Sequence, residues 1–184
     1  SPRRIDMLKM LGCKFKIVPS NIPEIMNPKL SFKENAKLIA RQKALAVAQK
    51  ASDGIIIAAD TSVVFQGKIF GKPKNVKSAK KMLKNLSGKK HEVITGIAVL
   101  DKKTGKILQD AITTKVKFRK LTDKMINEYL KDKKVLGMAG AYGIQGKACL
   151  FVDYIEGCYF NGEGLPLSAL NKLLEKAGVD LFDK

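Results

Sequence analysis

Apolar residues recur along this chain with two periods, one of three to four positions and one of two. The longer period, together with capping residues, predicts helices over residues 1–11, 31–47, 76–86, 121–130 and 166–177. Alternating or short continuous apolar runs predict strands over residues 13–18, 55–59, 62–65, 68–70, 91–100, 106–120 and 148–152. Helices and strands alternate first and long strands follow. We therefore predict an α/β fold with a mixed β-sheet and flanking helices.

Local motifs place several boundaries within this pattern. Ser31 and Glu34 form a capping box, which predicts the start of a helix. Gln66 and Gly67 lie between two short apolar runs and predict a tight hairpin turn. Residues 157–164 predict a turn, because glycine recurs there.

The composition limits the protein class without deciding it. A chain of 184 residues suits a single domain, which we expect to cover residues 1–184. The net charge of +18 is spread along the chain, so it indicates either a solvated surface or binding of nucleic acid or another polyanion. The absence of Trp argues against an aromatic nucleic-acid platform. No apolar run approaches the ~20 residues of a membrane span.

The most informative stretch is the run of five apolar residues, 55–59, that ends at Asp60. Such a run predicts a strand buried on both faces, and ligands often bind beyond the carboxyl ends of strands in open α/β sheets. A carboxylate at that place can hold a metal or accept a proton. The alternative is that Asp60 caps a turn with Thr61 and Ser62.

Two arginines lie at the start of the first helix. Ser1 suits an N-cap and Pro2 suits the first helical position. Arg3 and Arg4 then place cations where they oppose the helix dipole. They make sense as part of a polyanion site, since the free N–H groups would attract the same ligand; alternatively, both simply face solvent.

Two lysines are candidates for the same ligand. Lys43 falls on the apolar stripe of the predicted helix 31–47, so it either extends its ammonium to the edge of the core or points into a site. Lys72 follows Gly71 in a loop downstream of Asp60. Either ammonium could bind phosphate oxygens.

A glycine-rich segment, residues 137–146, has four glycines in ten residues. This composition predicts backbone that turns tightly or approaches a ligand closely. It matches neither of the common phosphate-binding glycine motifs. Gln145 offers both a donor and an acceptor, which is what recognition of a base edge requires.

The cysteines and the histidine argue against a zinc site. Cys13, Cys149 and Cys158 show no paired spacing, and His91 is the only histidine, which we interpret as structural. Three free thiols are typical of a reducing cytoplasm. A metal in this protein should be bound by oxygen ligands, and Mg²⁺ is the best candidate.

Taken together, short motifs throughout the chain resemble the Maf family of nucleoside triphosphate pyrophosphatases. The matching segments, in order, are S-P-R-R at 1–4, K-A at 43–44, A-D-T at 59–61, G-K-P at 71–73, L-S-G-K at 86–89, T-G at 95–96, A-G-A-Y-G-I-Q-G at 139–146 and G-L-P-L at 164–167. The family usually has a further strand before the first motif, so the resemblance leads us to expect a trimmed N-terminus.

The resemblance implies a two-lobed α/β fold shared with inosine-triphosphate pyrophosphatases, and hydrolysis of a nucleoside triphosphate to the monophosphate and pyrophosphate. Asp60 matches the family's proton acceptor. Arg3, Thr61 and Gln145 match the positions that distinguish the subfamily preferring dTTP and UTP. The resemblance also leaves a homodimer open.

By the same resemblance Glu24, Lys43 and Lys72 line the site. We expect Asp60 and Glu24 to hold a divalent cation, with Mg²⁺ first and Mn²⁺ or Co²⁺ as alternatives. Arg4 is expected to join the cations that bind the triphosphate.

Two departures from the family pattern qualify these expectations. Gly137-Met138 replaces an Asp-Lys pair beside the Gln145 loop, which bears on rate or substrate preference. Residues 162–163, Gly and Glu, replace two valines, which bears on packing or on a dimer surface. Two alternatives therefore stay open: a pyrophosphatase for other non-standard nucleotides, and a basic nucleic-acid-binding or cell-division regulator with weak catalysis.

Overall fold

The computed structural model describes residues 1–183. This part of the chain forms, in order, α1 Pro2–Met10, α2 Phe32–Ala48, β1 Ile55–Phe65, β2 Lys68–Phe70, α3 Val76–Leu86, β3 Lys90–Asp101, β4 Ile107–Phe118, α4 Asp123–Tyr129, β5 Val152–Glu156, α5 Tyr159–Glu163 and α6 Leu167–Lys176. Short 3₁₀ helices cover Lys133–Gly137, Ala139–Ala141 and Gly146–Phe151. Within the described residues, no helix is both long enough and apolar enough to cross a bilayer.

The five strands form one antiparallel sheet in the order β2-β1-β3-β4-β5. The predicted α/β fold, a sheet with flanking helices, is therefore confirmed. The chain divides into two compact units. Of the described residues, unit 1 comprises 1–60, 95–112 and 164–183, and unit 2 comprises 61–94 and 113–163. That residues 1–184 form a single domain stays a prediction.

In unit 1, the capping box predicted at the start of α2 is confirmed. The backbone N–H of Glu34 donates to Oγ of Ser31 at 3.2 Å, and the N–H of Ser31 donates to Oε2 of Glu34 at 2.8 Å. Together these bonds satisfy two donors that a helix start would otherwise leave without partners.

The core of unit 1 brings small residues of α2 against β3. Ala40 and Ala44 are fully buried in one cluster with Ala98. The closest approach is at Gly96, where an added Cβ would lie 2.2 Å from the backbone carbonyl of Ala36. Only a residue without a side chain fits there, because the helix backbone occupies the space.

In unit 2, the predicted hairpin is confirmed. Gln66 and Gly67 both have positive φ, at 50° and 69°. Two successive residues with positive φ define the turn type whose twist matches that of the flanking strands. Val63 consequently faces Phe70 across the antiparallel pair.

Outside β1, three sequence predictions of secondary structure were wrong. Residues 13–18 form no strand, and Ile17 is 62% exposed; an alternating segment becomes a strand only when another strand pairs with it. Residues 148–151 are 3₁₀ rather than extended, because Ala148 and Phe151, three positions apart, are the buried pair. Residues 157–164 contain a short helix in place of the predicted turn.

The altered residues 162–163 follow an asparagine that is buried in unit 2. The Asn161 amide is buried and donates to the Val93 carbonyl at 2.9 Å and to Oγ1 of Thr114 at 3.0 Å. A Cβ at Gly162 would meet only ordinary contact with Ile144, at 3.6 Å. The segment is thus tied to two strands of unit 2 through its asparagine.

His91 is part of the core of unit 2. Its Nε2 lies 2.6 Å from the Tyr142 hydroxyl, and its ring packs edge-on against Phe118. Burial lowers the pKa of His91 to about 4, so the imidazole is neutral at physiological pH.

The close approach of α2 to β3 predicts the effect of one methyl group. We expect Gly96→Ala to lower the free energy of unfolding by about 3 kcal/mol, because neither backbone can move aside without disturbing the core. Gly137→Ala is the control, since nothing lies within 4 Å of a Cβ there, and we expect a change of about 0.5 kcal/mol or less. Urea denaturation measures both; equal effects would contradict the packing described.

Buried His91 predicts a pH dependence of stability. Its pKa is lower in the folded state than the usual 6.5, so the unfolded chain takes up the proton first as the pH falls. Its stabilising contribution is complete above pH 6.5 and is lost between pH 6.5 and about 4, to a total of about 3 kcal/mol.

The carboxylates also titrate in this range, so the test is a difference between two proteins. The unfolding free energy of His91→Gln should depend less steeply on pH between 6.5 and 4 than that of the wild type. Parallel pH profiles would show that the histidine does not contribute.

Candidate active site

Asp60 lies inside β1, not at its end. The strand continues through Asp60 to Phe65, and Asp60 is only 6% exposed. The prediction that the strand stops at residue 59 was therefore wrong, as was the inference that Asp60 lies beyond the carboxyl end of its strand. The turn-cap alternative fails for the same reason, because no turn begins at Asp60.

The buried Asp60 carboxylate is paired with a lysine from α2. The Nζ of Lys43 donates to Oδ1 of Asp60 at 2.8 Å. The Lys43 side chain is 15% exposed, so of the two orientations expected from the sequence it points inward. Lys43 lies on the stripe of α2 that contains Ile39 and Ala40, which explains why the helix directs it towards the sheet.

The same ammonium binds a second carboxylate. The Nζ of Lys43 lies 2.7 Å from Oε1 of Glu24, which sits in the irregular segment between α1 and α2. Glu24 is half-exposed and Asp60 is buried. We call Asp60, Lys43 and Glu24 the carboxylate–lysine cluster. It carries two negative charges and one positive charge.

Arg4 holds α1 against the strand that carries Asp60. Its Nη1 donates to the Ala59 carbonyl at 2.9 Å and its Nε donates to the Gly164 carbonyl at 2.7 Å. Burial lowers the pKa of Arg4 to about 10, while the charge of Asp60 opposes that shift. The guanidinium therefore stays charged at neutral pH.

Arg3 precedes Arg4 on α1 and is partly buried. Its charge also contributes to lowering the Arg4 pKa, which places the two guanidinium groups within electrostatic reach of each other. The first turn of α1 contains no acidic residue, and the Ser1 side chain makes no capping bond. The start of this helix is therefore strongly positive.

The other candidates belong to unit 2. Thr61 follows Asp60 on β1, while Lys72 and Gln145 are exposed on loops. These two loops are joined, because the N–H of Gly140 donates to the carbonyl of Gly71 at 3.1 Å. The structure thus ties the segment carrying Gln145 to the residue before Lys72.

The glycine-rich loop also packs on β1. Gly140 has φ of 69°, and a Cβ there would meet both methyl groups of Val63 at 3.1 Å. The Gly137-Met138 departure lies just before this contact, where Gly137 ends a 3₁₀ helix. Nothing lies within 4 Å of a Cβ at Gly137, so the loss of the family's acid there leaves no defect in packing.

The cluster can supply oxygen ligands to a metal. Among residues 1–183, no three His, Cys, Asp or Glu side chains converge closely enough to bind a metal by themselves. Mg²⁺ commonly uses only one or two carboxylates, with water and substrate phosphates as the other ligands. The pair formed by Asp60 and Glu24 fits that pattern.

One feature of the site left no trace in the sequence. Arg4 contacts the backbone carbonyls of Ala59 and Gly164, and a carbonyl acceptor has no residue signature. The expectation that Arg4 faces either phosphate or solvent therefore missed the bonds that the side chain makes. The three side chains of the carboxylate–lysine cluster were all named from the sequence.

An α/β protein with a lysine-bridged pair of carboxylates and arginines at an adjoining helix start has the groups that phosphate chemistry requires. The chain belongs to the Maf family: the family model described as "Maf-like protein" matches residues 1–177. Members of this family generally depend on a divalent metal.

Two dTTP/UTP pyrophosphatases agree with this assignment. The chain is 44% identical, over 99% of its length and 94% of the relative, to the dTTP/UTP pyrophosphatase of Caldicellulosiruptor saccharolyticus. It is 50% identical, over 95% of its length and 91% of the relative, to the dTTP/UTP pyrophosphatase of Alkaliphilus oremlandii. A solved Nucleoside-triphosphatase / dITP/XTP pyrophosphatase from Mycobacterium abscessus overlaps 66% of this chain and 71% of its own, with 13% identity and a TM-score of 0.36.

The bonds of Arg4 predict a stability effect. We expect Arg4→Met to lower the free energy of unfolding by about 2–3 kcal/mol, because two carbonyl groups lose a charged donor. Arg3→Met is the matched control on the same helix and should cost clearly less. Urea denaturation compares them, and equal losses would show that the two carbonyl bonds of Arg4 contribute little.

Proposed function

We propose that this protein hydrolyses dTTP and UTP to the monophosphate and pyrophosphate. The observation that carries the proposal is the carboxylate–lysine cluster, in which a buried acid, a cation and a second acid meet within hydrogen-bonding distance. Membership of the Maf family and relatives of that activity at 44–50% identity support it.

Asp60 is assigned the role of base. A water molecule attacks the α phosphorus, the bond between that phosphorus and the oxygen bridging to the β phosphorus breaks, and pyrophosphate leaves. Asp60 orients the water and takes its proton, which later passes to solvent. In the nucleotide-free structure the Asp60 carboxylate accepts a hydrogen bond from the ammonium of Lys43.

The cations are assigned to the triphosphate. Lys43, Arg3 and Lys72 lower the repulsion that a polyphosphate would feel and stabilise charge on the leaving pyrophosphate. Arg4 has a different part in the proposal from the one that the sequence suggested. Since two of its donors bind backbone carbonyls, it mainly holds the Asp60 strand in position.

Asp60 and Glu24 are assigned to hold the divalent metal, for which Mg²⁺ is the proposed identity. When bound, such an ion neutralises phosphate charge and helps to orient the attacking water. The oxygen-only donor pair supports Mg²⁺ or Mn²⁺ over softer metals. Arg3, Thr61 and Gln145 are assigned to substrate preference, as the family resemblance implies.

Two remaining assignments concern the setting of the enzyme. Three free cysteines support a reducing, cytoplasmic location. Assembly as a homodimer is also proposed, on the family resemblance alone. The rival in which the chain is mainly a nucleic-acid-binding regulator is not favoured, since a non-enzymatic phosphate site gains nothing from two carboxylates.

A panel of nucleoside triphosphates tests the substrate. Pyrophosphate release should be fastest with dTTP and UTP and much slower with the purine nucleotides, in Mg²⁺ and in Mn²⁺. Faster release from dITP or XTP would replace the proposal with a purine-directed pyrophosphatase. No release from any nucleotide, together with salt-sensitive DNA binding, would favour the regulator.

The role of Asp60 is tested separately. We expect Asp60→Asn to reduce dTTP turnover by a factor of about 100 or more, because the amide cannot accept the proton. Asp53→Asn is the control, since Asp53 is an exposed acid that contacts Ser52 and belongs to no cluster described above. Turnover near the wild-type value in Asp60→Asn would remove Asp60 from the mechanism.

A further inference from the structure

We infer that the ammonium of Lys43 occupies the divalent-cation site before the substrate binds. The triphosphate then binds this ammonium in place of the two carboxylates, which leaves the site free for the metal. The inference rests on the proposed function, because it takes Asp60 and Glu24 as the metal ligands. It adds a coupling: the protein alone binds metal weakly, and the metal enters together with the nucleotide.

The first support is geometric. One nitrogen lies 2.8 Å from Oδ1 of Asp60 and 2.7 Å from Oε1 of Glu24. A magnesium ion bound by the same two oxygens would sit about 2.1 Å from each. The ion and the ammonium therefore require nearly the same position, and both cannot contact these oxygens at once.

The second support is electrostatic. Within the cluster, two carboxylates are already partly neutralised by Lys43, and the charged guanidinium of Arg4 acts on both of them. A divalent ion placed beside an ammonium is repelled by it twice as strongly as a monovalent one. The free protein therefore presents a site with a low net negative charge, which disfavours metal binding without an anion.

The third support is the reach of the lysine. The ammonium of Lys43 lies at the end of a flexible four-carbon side chain, while the backbone of Lys43 is fixed within α2. The oxygen atoms of a triphosphate can accept hydrogen bonds from that ammonium. Together they carry more negative charge than one carboxylate does. When Lys43 moves to phosphate, Asp60 and Glu24 lose their partner and become available to the metal.

The coupling has a consequence for the order of events. The nucleotide is needed both to move Lys43 off the carboxylates and to let the metal bind. The metal and the nucleotide therefore each strengthen the binding of the other. Asp60 is also held by an ammonium, instead of a metal, whenever no substrate is bound. In the free enzyme Lys43 is a positioning residue for the two metal ligands.

Binding of Mn²⁺ to the nucleotide-free protein tests the inference without any measurement of activity. Titration calorimetry or the Mn²⁺ electron paramagnetic resonance signal gives the affinity. We expect Lys43→Met to bind Mn²⁺ at least about tenfold more tightly than the wild type, because the competing charge is gone. Lys43→Arg keeps the charge and should not bind more tightly than the wild type.

Two controls complete the design. Lys84→Met removes an exposed ammonium that pairs with Asp123, a residue outside the cluster. This variant should leave the Mn²⁺ affinity unchanged. The double variant Lys43→Met with Asp60→Asn should lose the gain, which places the added affinity at the cluster. Far-ultraviolet circular dichroism establishes that each variant is folded, and Lys43→Gln replaces Lys43→Met if the latter is not.

The outcomes separate the inference from the proposed function. Unchanged or weaker Mn²⁺ binding in Lys43→Met overturns the inference, whether or not the enzyme hydrolyses dTTP. A gain that survives Asp60→Asn shows that the metal binds elsewhere, which overturns both the inference and the proposed metal ligands. Absence of dTTP hydrolysis overturns the proposed activity, even if the lysine is shown to compete with Mn²⁺.

Discussion

The central polar interaction of unit 1 is the pairing of a buried carboxylate with a lysine. A charge as inaccessible as that of Asp60 is costly to bury unless a partner and hydrogen bonds compensate it. Lys43 provides that partner. One position on the otherwise apolar stripe of α2 is therefore a charged residue that points towards the sheet. Arg4 holds the neighbouring carbonyl of Ala59, so α1 is fixed to the same strand.

What the sequence could predict depended on how local the cause was. The capping box at Ser31 and the Gln66-Gly67 turn were predicted correctly, because a few adjacent residues determine them. Residues 13–18 were assigned wrongly, since a strand needs a partner that no local pattern reveals. The helical turn at Ala148 was missed because a short apolar run has the same appearance in either structure.

The site shows the same division between local and distant causes. Asp60 was named as the central acid, but through the position of a strand end that does not exist. Lys43 was singled out as a polar residue on an apolar stripe, and the structure shows that its ammonium points inward to Asp60. The carbonyl partners of Arg4 could not be foreseen, because the bonds join residues 55 and 160 positions apart.

Residues 13–18 expose apolar side chains, and the lysines between them limit association of one copy of the protein with another. Phe15 and Ile17 are exposed and alternate with Lys14 and Lys16, a pattern that would otherwise favour aggregation through edge-to-edge pairing of copies. Repulsion between like-charged ammonium groups opposes that pairing. Part of the net charge of +18 therefore opposes self-association of the protein.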